Sequence, residues 1–251
     1  MRHSETQRIS RDDYDAVLFD LDGVVTDTAS IHARCWKQMF DEYLRKRASQ
    51  RAEAFRPFDL VTDYRLYVDG KPRFDGVRDF LASRMIRLPE GNPEDSAEVE
   101  TVCGLGNRKD DLVNQVIADV GVQPYDGTVR FIHHLRRSGF KIAVVTSSQN
   151  CTVVLKAAKL HDLFRVQVDG NTILTQDLAD KPAPATFLMA AKLLGVEATR
   201  TVVVEDAISG VQAGASGRFG LVIGVARKGN AEELRHHGAH LVVDDLGELV
   251  D

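Results

Sequence analysis

Two hydrophobic rhythms alternate along this chain. Short apolar runs stop abruptly at polar residues, and between them lie stretches in which apolar residues recur every three or four positions. The runs Ala16–Phe19, Lys141–Val145, Val166–Val168, 201–204 and Leu221–Val225 have the length and β-branched content of buried strands. The second rhythm predicts helices. Ile31, Cys35, Trp36, Met39, Phe40, Tyr43 and Leu44 mark one face of a helix over 31–47, with Thr28 or Ser30 as its N-cap. Leu112, Val113, Val116, Ile117 and Val120 do the same over 107–120, and further helices are expected over 127–138, 152–159 and 183–194.

Strands alternating with helices imply a parallel sheet covered on both faces. The expected fold class is therefore α/β, a Rossmann-like parallel-sheet core, assigned to residues 13–29 and 122–251. Residues 30–121 form a mostly helical insert after the first strand. Within the insert, residues 55–93 are rich in Asp, Gly, Pro and Arg and read as turns with one short helix over 77–83. The run from Tyr67 through Asp69-Gly70-Lys71-Pro72 to Arg73 has no explanation in the pattern. No glycine fingerprint of dinucleotide binding follows the first strand.

A length of 251 residues accommodates such a core with its insert. The formal net charge of −5 is spread over mixed acids and bases, which gives no footprint for nucleic acid or an anionic membrane. The basic cluster Arg45, Lys46, Arg47 and Arg51, interleaved with Glu42 and Glu53, reads as a solvated helix face. Cys35, Cys103 and Cys151 form neither a close pair nor an even framework, so a reducing compartment is expected. No run approaches the roughly 18 apolar residues of a membrane span. Met1 to Asp13 lacks an apolar signal core. The expectation is a cytoplasmic protein, with its first dozen residues frayed.

Chemistry is expected where the strands end. The first strand runs into Asp20-Leu21-Asp22-Gly23, and side-chain alternation puts both carboxylates on one side, with Gly23 turning the chain. Like charges so close raise one another's pKa or recruit a cation, and magnesium suits oxygen ligands of this kind. Three more polar groups follow: Thr146 with Ser147, Lys181 in Asp180-Lys181-Pro182, and Glu205 with Asp206. Singly, each has a plain structural explanation as a turn, a loop or an acid pair at a helix N-terminus. Together, in this order and texture, they resemble the four motifs of the haloacid dehalogenase superfamily of phosphotransferases, and Asp20 to Thr28 resembles the first motif.

That resemblance implies a phosphoryl transfer through a phosphoaspartate on Asp20, with Asp22 as general acid and base. A carboxylate approaching a phosphate at about 4 Å meets repulsion of about 4 kcal/mol per charge pair at an effective dielectric near 20. The resemblance implies that Mg2+ on Asp20, the Asp22 carbonyl, Glu205 and Asp206 offsets it, helped by Lys181, while Thr146 and Ser147 donate hydrogen bonds to the phosphoryl oxygens. The insert resembles the helical cap of the β-phosphoglucomutase-like branch, in which His32, Arg78 and Lys109 of the cap and Ser147 and Asn150 of the core match substrate contacts. The implied activity is interconversion of β-glucose 1-phosphate and glucose 6-phosphate. A sugar-phosphate phosphatase acting on a hexose or trehalose phosphate is the alternative, and a non-enzymatic sugar-phosphate-binding module is a third. The expected partner is a small sugar phosphate, and the expected state is a monomer.

Overall fold

A computed structural model describes residues 9–227 and 229–250. The chain divides into two compact units, one ending at Asp27 and resuming at Val122, the other spanning Thr28–Gly121.

The first unit is built on six parallel strands: β1 Ala16–Phe19, β2 Lys141–Val145, β3 Val166–Val168, β4 Thr201–Glu205, β5 Leu221–Val225 and β6 Leu241–Val243. Their order is β3-β2-β1-β4-β5-β6. The chain builds outward from β1 on one side and then crosses to β4 on the other, so the order reverses at β1, where open α/β sheets bind ligands beyond the strands' C-terminal ends. Phe19 is in register with Val144 and with Val204, which fixes what stands level at that edge.

The apolar runs are unbroken because both faces of the sheet are covered. Leu18, Val145 and Val203 pack with Phe187 and Ala190 of the helix Ala185–Leu194 and with Ala213 of the helix Ile208–Ser216. On the opposite face, Phe19 meets Phe131 of the helix Asp126–Arg137 edge to face, with ring centroids 6.0 Å apart.

The periodicity located these elements but not all of their ends. Glu205 is the last residue of β4, one beyond the expected end. The short helices Gly170–Thr175 and Ala231–His236 and the strand β6 have no counterpart in the pattern, being three to six residues long with little periodicity to show. Residues 1–8 of the stretch expected to fray lie outside the described residues. Its described part is tied down: Arg200 donates to the carbonyls of Arg11 and Asp12 and pairs with Asp15 at 2.6 Å.

The second unit contains the helices Ala29–Arg51, Arg73–Ser83 and Val102–Val120 and a π-helical turn at Tyr64–Val68. Trp36, Met39, Phe40, Phe58, Phe80 and Leu105 lie in its core, and Trp36, Phe40 and Phe58 form a run of stacked rings. Thr28 occupies the first helix's N-cap position but in helical dihedrals and without a capping side-chain bond, which corrects the expected cap. The helix outlasts its apolar face because good helix formers continue to Arg51, with Lys46 paired to Glu100 and Arg47 to Glu53.

The third helix of this unit begins at Val102, before the expected start at residue 107. Thr101 caps it by accepting the Gly104 amide at 2.9 Å, a start that the Gly104-Leu105-Gly106 run obscures. The run 67–73 also acquires a physical account. Val68 is buried, Gly70 takes φ 68°, Lys71 pairs with Asp79 at 2.6 Å, and Pro72 stands at the N-cap of Arg73–Ser83.

No helix among the described residues is long and apolar enough to cross a membrane. All three cysteines are buried and free, and burial pushes each thiol above its ordinary value. A thiol reagent is therefore expected to modify none of them in the native protein and all of them after denaturation, a difference that a colorimetric titration reads directly.

Candidate active site

Register and topology place one polar group at the C-terminal end of each central strand. Asp20 follows β1, Thr146 follows β2, and Glu205 and Asp206 end and follow β4. All four are buried. Lys181 enters from the loop before the helix Ala185–Leu194, where the Lys181–Pro182 peptide is cis. Its ammonium donates to Asp20 Oδ1 at 2.6 Å, to Glu205 Oε1 at 2.7 Å and to the Val145 carbonyl at 3.3 Å. An ammonium carries only three N–H donors, so these contacts fix its position fully.

Carboxylate oxygens of Asp20, Glu205 and Asp206 lie within 4.8 Å of one another. Asp22 adds a further negative charge acting on Asp20, and Lys181 bonds to both Asp20 and Glu205. Burial raises the Asp20 carboxyl well above the usual range; Lys181 pulls it down, but Glu205, Asp22 and Asp206 push it further up. Glu205 is raised in the same way, by burial first and then by Asp206 against the pull of Lys181. For Lys181, burial favours the neutral amine, but Asp20 and Glu205 overcome it and hold the ammonium above its ordinary value. The cluster thus crowds several buried carboxylates around the ammonium of Lys181.

A buried set of three carboxylates this close together matches a small divalent cation that prefers oxygen. The backbone is shaped around the set. A Cβ on Gly210 would overlap the carboxyl of Glu205, whose Oε2 accepts the amides of Asp206 and Ala207 at 3.1 Å. Gly210→Ala is expected to displace that carboxylate, costing about 1–3 kcal/mol of stability and about tenfold or more in turnover. Denaturant unfolding and a rate assay on the same preparation check both figures.

Thr146 donates to Asp22 Oδ2 at 3.3 Å, and its hydroxyl oxygen accepts the Ser148 amide at 3.1 Å. Ser147 and Asn150 lie in the same turn between β2 and the helix Cys151–Ala157, at the edge that carries Asp20. The sheet unit therefore brings together Asp20, Asp22, Thr146, Lys181, Glu205 and Asp206, with Ser147 and Asn150 on the adjoining turn.

His32, Arg78 and Lys109 belong to the helical unit. His32 Nδ1 stands 2.6 Å from Lys109 Nζ, which also lies 5.0 Å from the centre of the Trp36 ring. Arg78 is half exposed and engages Glu90 and Asp75. A residue that the motif comparison passed over is Arg73. It is mostly buried, lies over the Phe74 ring, and donates Nε and Nη2 to Asn107 Oδ1 at 3.2 and 3.0 Å, two positions before Lys109 on the same helix. Its sequence signal is no more than an arginine directly after Pro72, in a stretch that reads as turns.

A family model for haloacid dehalogenase-like hydrolases matches residues 14–218. A β-phosphoglucomutase of Mycobacterium bovis is 50% identical over 238 residues, which is 94% of this chain and 91% of that protein. A β-phosphoglucomutase of Bacillus subtilis is 28% identical over 235 residues, 93% of this chain and 91% of that protein. Among solved structures, β-phosphoglucomutase from Clostridium difficile matches with a TM-score of 0.70 at 25% identity, covering 94% of this chain and 93% of that one. The chain is accordingly an enzyme of the haloacid dehalogenase-like hydrolase family, in its β-phosphoglucomutase-like branch.

Proposed function

We propose that the enzyme interconverts β-glucose 1-phosphate and glucose 6-phosphate by way of an aspartyl phosphate on Asp20. The observation that carries the chemistry is the buried ammonium of Lys181 bonded to both Asp20 and Glu205, at 2.6 and 2.7 Å, at the switch point of the sheet. The choice of sugar rests on the 50% identity to the mycobacterial relative.

In the first half-reaction an Asp20 carboxylate oxygen attacks phosphorus, the bond from phosphorus to the sugar oxygen breaks, and Asp22 gives its proton to that leaving oxygen. In the second, a sugar hydroxyl loses its proton to Asp22 as it attacks the acyl phosphate, which frees Asp20 unchanged. Thr146 and the Ser147 amide hold the transferring oxygens, and Lys181 keeps Asp20 oriented and part of its charge compensated. Asp20, Asp22 through its carbonyl, Glu205 and Asp206 fit Mg2+, which when bound would offset the negative charge of the phosphoryl group. We assign substrate binding to His32, Lys109, Ser147 and Asn150. Recognition of a second phosphate falls to Arg78, with Arg73 as a competitor because its guanidinium is sheltered and held against the helix that carries Lys109. The enzyme is read as a cytoplasmic monomer, which fractionation and sedimentation test.

The experiment is an incubation with β-glucose 1-phosphate, Mg2+ and a trace of glucose 1,6-bisphosphate, measuring glucose 6-phosphate and inorganic phosphate together. Isomer without stoichiometric phosphate release is expected, and chelation of the metal is expected to stop it. Phosphate release without isomer would make the enzyme a phosphatase, and binding without either product would make the chain a sugar-phosphate-binding module.

A further inference from the structure

The loop that follows Asp22 is closed on itself. The Leu21 carbonyl accepts the amides of Val25 and Thr26, both at 3.0 Å, and the Thr26 hydroxyl at 3.2 Å. The Gly23 amide donates to the Thr26 carbonyl at 2.8 Å. Because a trans peptide is planar, fixing the Gly23 N–H also fixes the Asp22 carbonyl, which points the opposite way. Asp22 is thus presented by a small ring of backbone, and its placement is only as good as the anchoring of that ring.

The anchoring comes from residues that play no part in the chemistry described above. Three consecutive carbonyls leave the ring: Gly23 O accepts Arg227 Nε at 2.9 Å, Val24 O accepts the Thr128 hydroxyl at 2.7 Å, and Val25 O accepts the Tyr125 amide at 3.1 Å. Arg227 also donates Nη2 to Thr128 Oγ1 at 3.2 Å, so it supports the second of these contacts as well as making the first. Its own position is over-determined. Nη1 pairs with Asp245 at 3.0 Å, the guanidinium lies 3.5 Å from the centre of the Tyr125 ring, and its side chain is only 14% exposed. The Tyr125 hydroxyl in turn donates to Asp27 at 3.0 Å. A planar fork with donors on three edges and an aromatic face beneath it can do this, and a lysine ammonium cannot.

We propose that Arg227 is a positioning residue that fixes the Gly23–Asp27 loop and thereby aims Asp22 at the leaving oxygen. This rests on the role of Asp22 given under the proposed function. Its consequence is a dependence on the leaving group. A sugar alkoxide needs Asp22's proton, whereas p-nitrophenolate departs without one.

The test compares the wild type with Arg227→Ala, Arg227→Lys and a surface control, Arg235→Ala, whose half-exposed side chain pairs with its helix neighbour Glu232. Amide hydrogen exchange is measured by segment. Phosphorylation of Asp20 is measured in a single turnover, from glucose 1,6-bisphosphate and from p-nitrophenyl phosphate. Arg227→Ala is expected to speed exchange of the loop amides by about tenfold while those of β2 and β4 stay unchanged. Its maximal phosphorylation rate from the sugar phosphate is expected to fall about tenfold to a hundredfold, and from the aryl phosphate less than about threefold, with half-saturating concentrations little changed. Added guanidinium is expected to recover part of the loss. Arg227→Lys, which can keep the pair with Asp245, carries the same comparison should the alanine variant not fold. Unaltered loop exchange, or equal losses on the two esters, would overturn the proposal. A wild type that phosphorylates itself from neither ester would instead refute the functional reading, while the exchange result would still decide whether Arg227 anchors the loop.

Discussion

Replacing Asp20 with asparagine is expected to lower turnover by a factor of about 10⁴ or more while leaving the protein folded. The amide keeps the side chain's shape but is too poor a nucleophile to take a phosphoryl group. The fold is expected to tolerate the change because burial, with Glu205, Asp22 and Asp206 nearby, already pushes the Asp20 carboxyl toward its protonated form. Lys181 retains its bond to Glu205. Rate measurements paired with denaturant unfolding check both halves, and an active, well-folded asparagine variant would remove Asp20 from the nucleophile's role.

Lys181→Ala is the second large effect, and it falls on stability as well as rate. The ammonium is almost completely buried and compensates Asp20 and Glu205 at 2.6 and 2.7 Å, so its removal strands charge in the interior at a cost of about 3–5 kcal/mol. The loss should depend on pH in a defined direction. Asp20 and Glu205 have raised values in the folded protein even with Lys181 present, because burial and their acidic neighbours outweigh its pull. Removing the ammonium raises them further. Between the ordinary carboxylate range and those raised values the folded state holds protons that the unfolded chain has released, so stability falls as pH rises. In metal-free buffer the variant is therefore expected to lie closest to the wild type in acid and farthest from it near neutrality. Added Mg2+ is expected to narrow the gap, and denaturant melts across pH measure it. A gap that is constant across pH would show that the lysine does not compensate these carboxylates.

Much of this arrangement was legible in the residues, for identifiable reasons. Ala16–Phe19 reads as a strand because a central parallel strand is apolar on both faces, and all four of its residues are buried. The carboxylates stand at its end because ligands collect where the sheet order reverses. What is not legible is pairing across long separations. Lys181 meets Asp20 from 161 positions away, and no local pattern around Asp180-Lys181-Pro182 encodes that contact. Only the resemblance to a known order of motifs brought it forward. Arg227 reaches Gly23 across 204 positions and belongs to none of those motifs, and nothing in the residues beside it marks that contact. Arg73 was hidden differently, inside a run whose glycine and proline read as a turn although the chain there enters a helix.

The central claim is that these separated groups form one pocket that accepts a phosphoryl group onto Asp20. The most direct measurement is a single-turnover incubation with labelled glucose 1,6-bisphosphate, acid quench, and mapping of the hydroxylamine-labile label to a peptide. The account predicts label on the peptide containing Asp20, with formation fast enough to support turnover. Full turnover with no such label, or with label mapped to another segment, would contradict it.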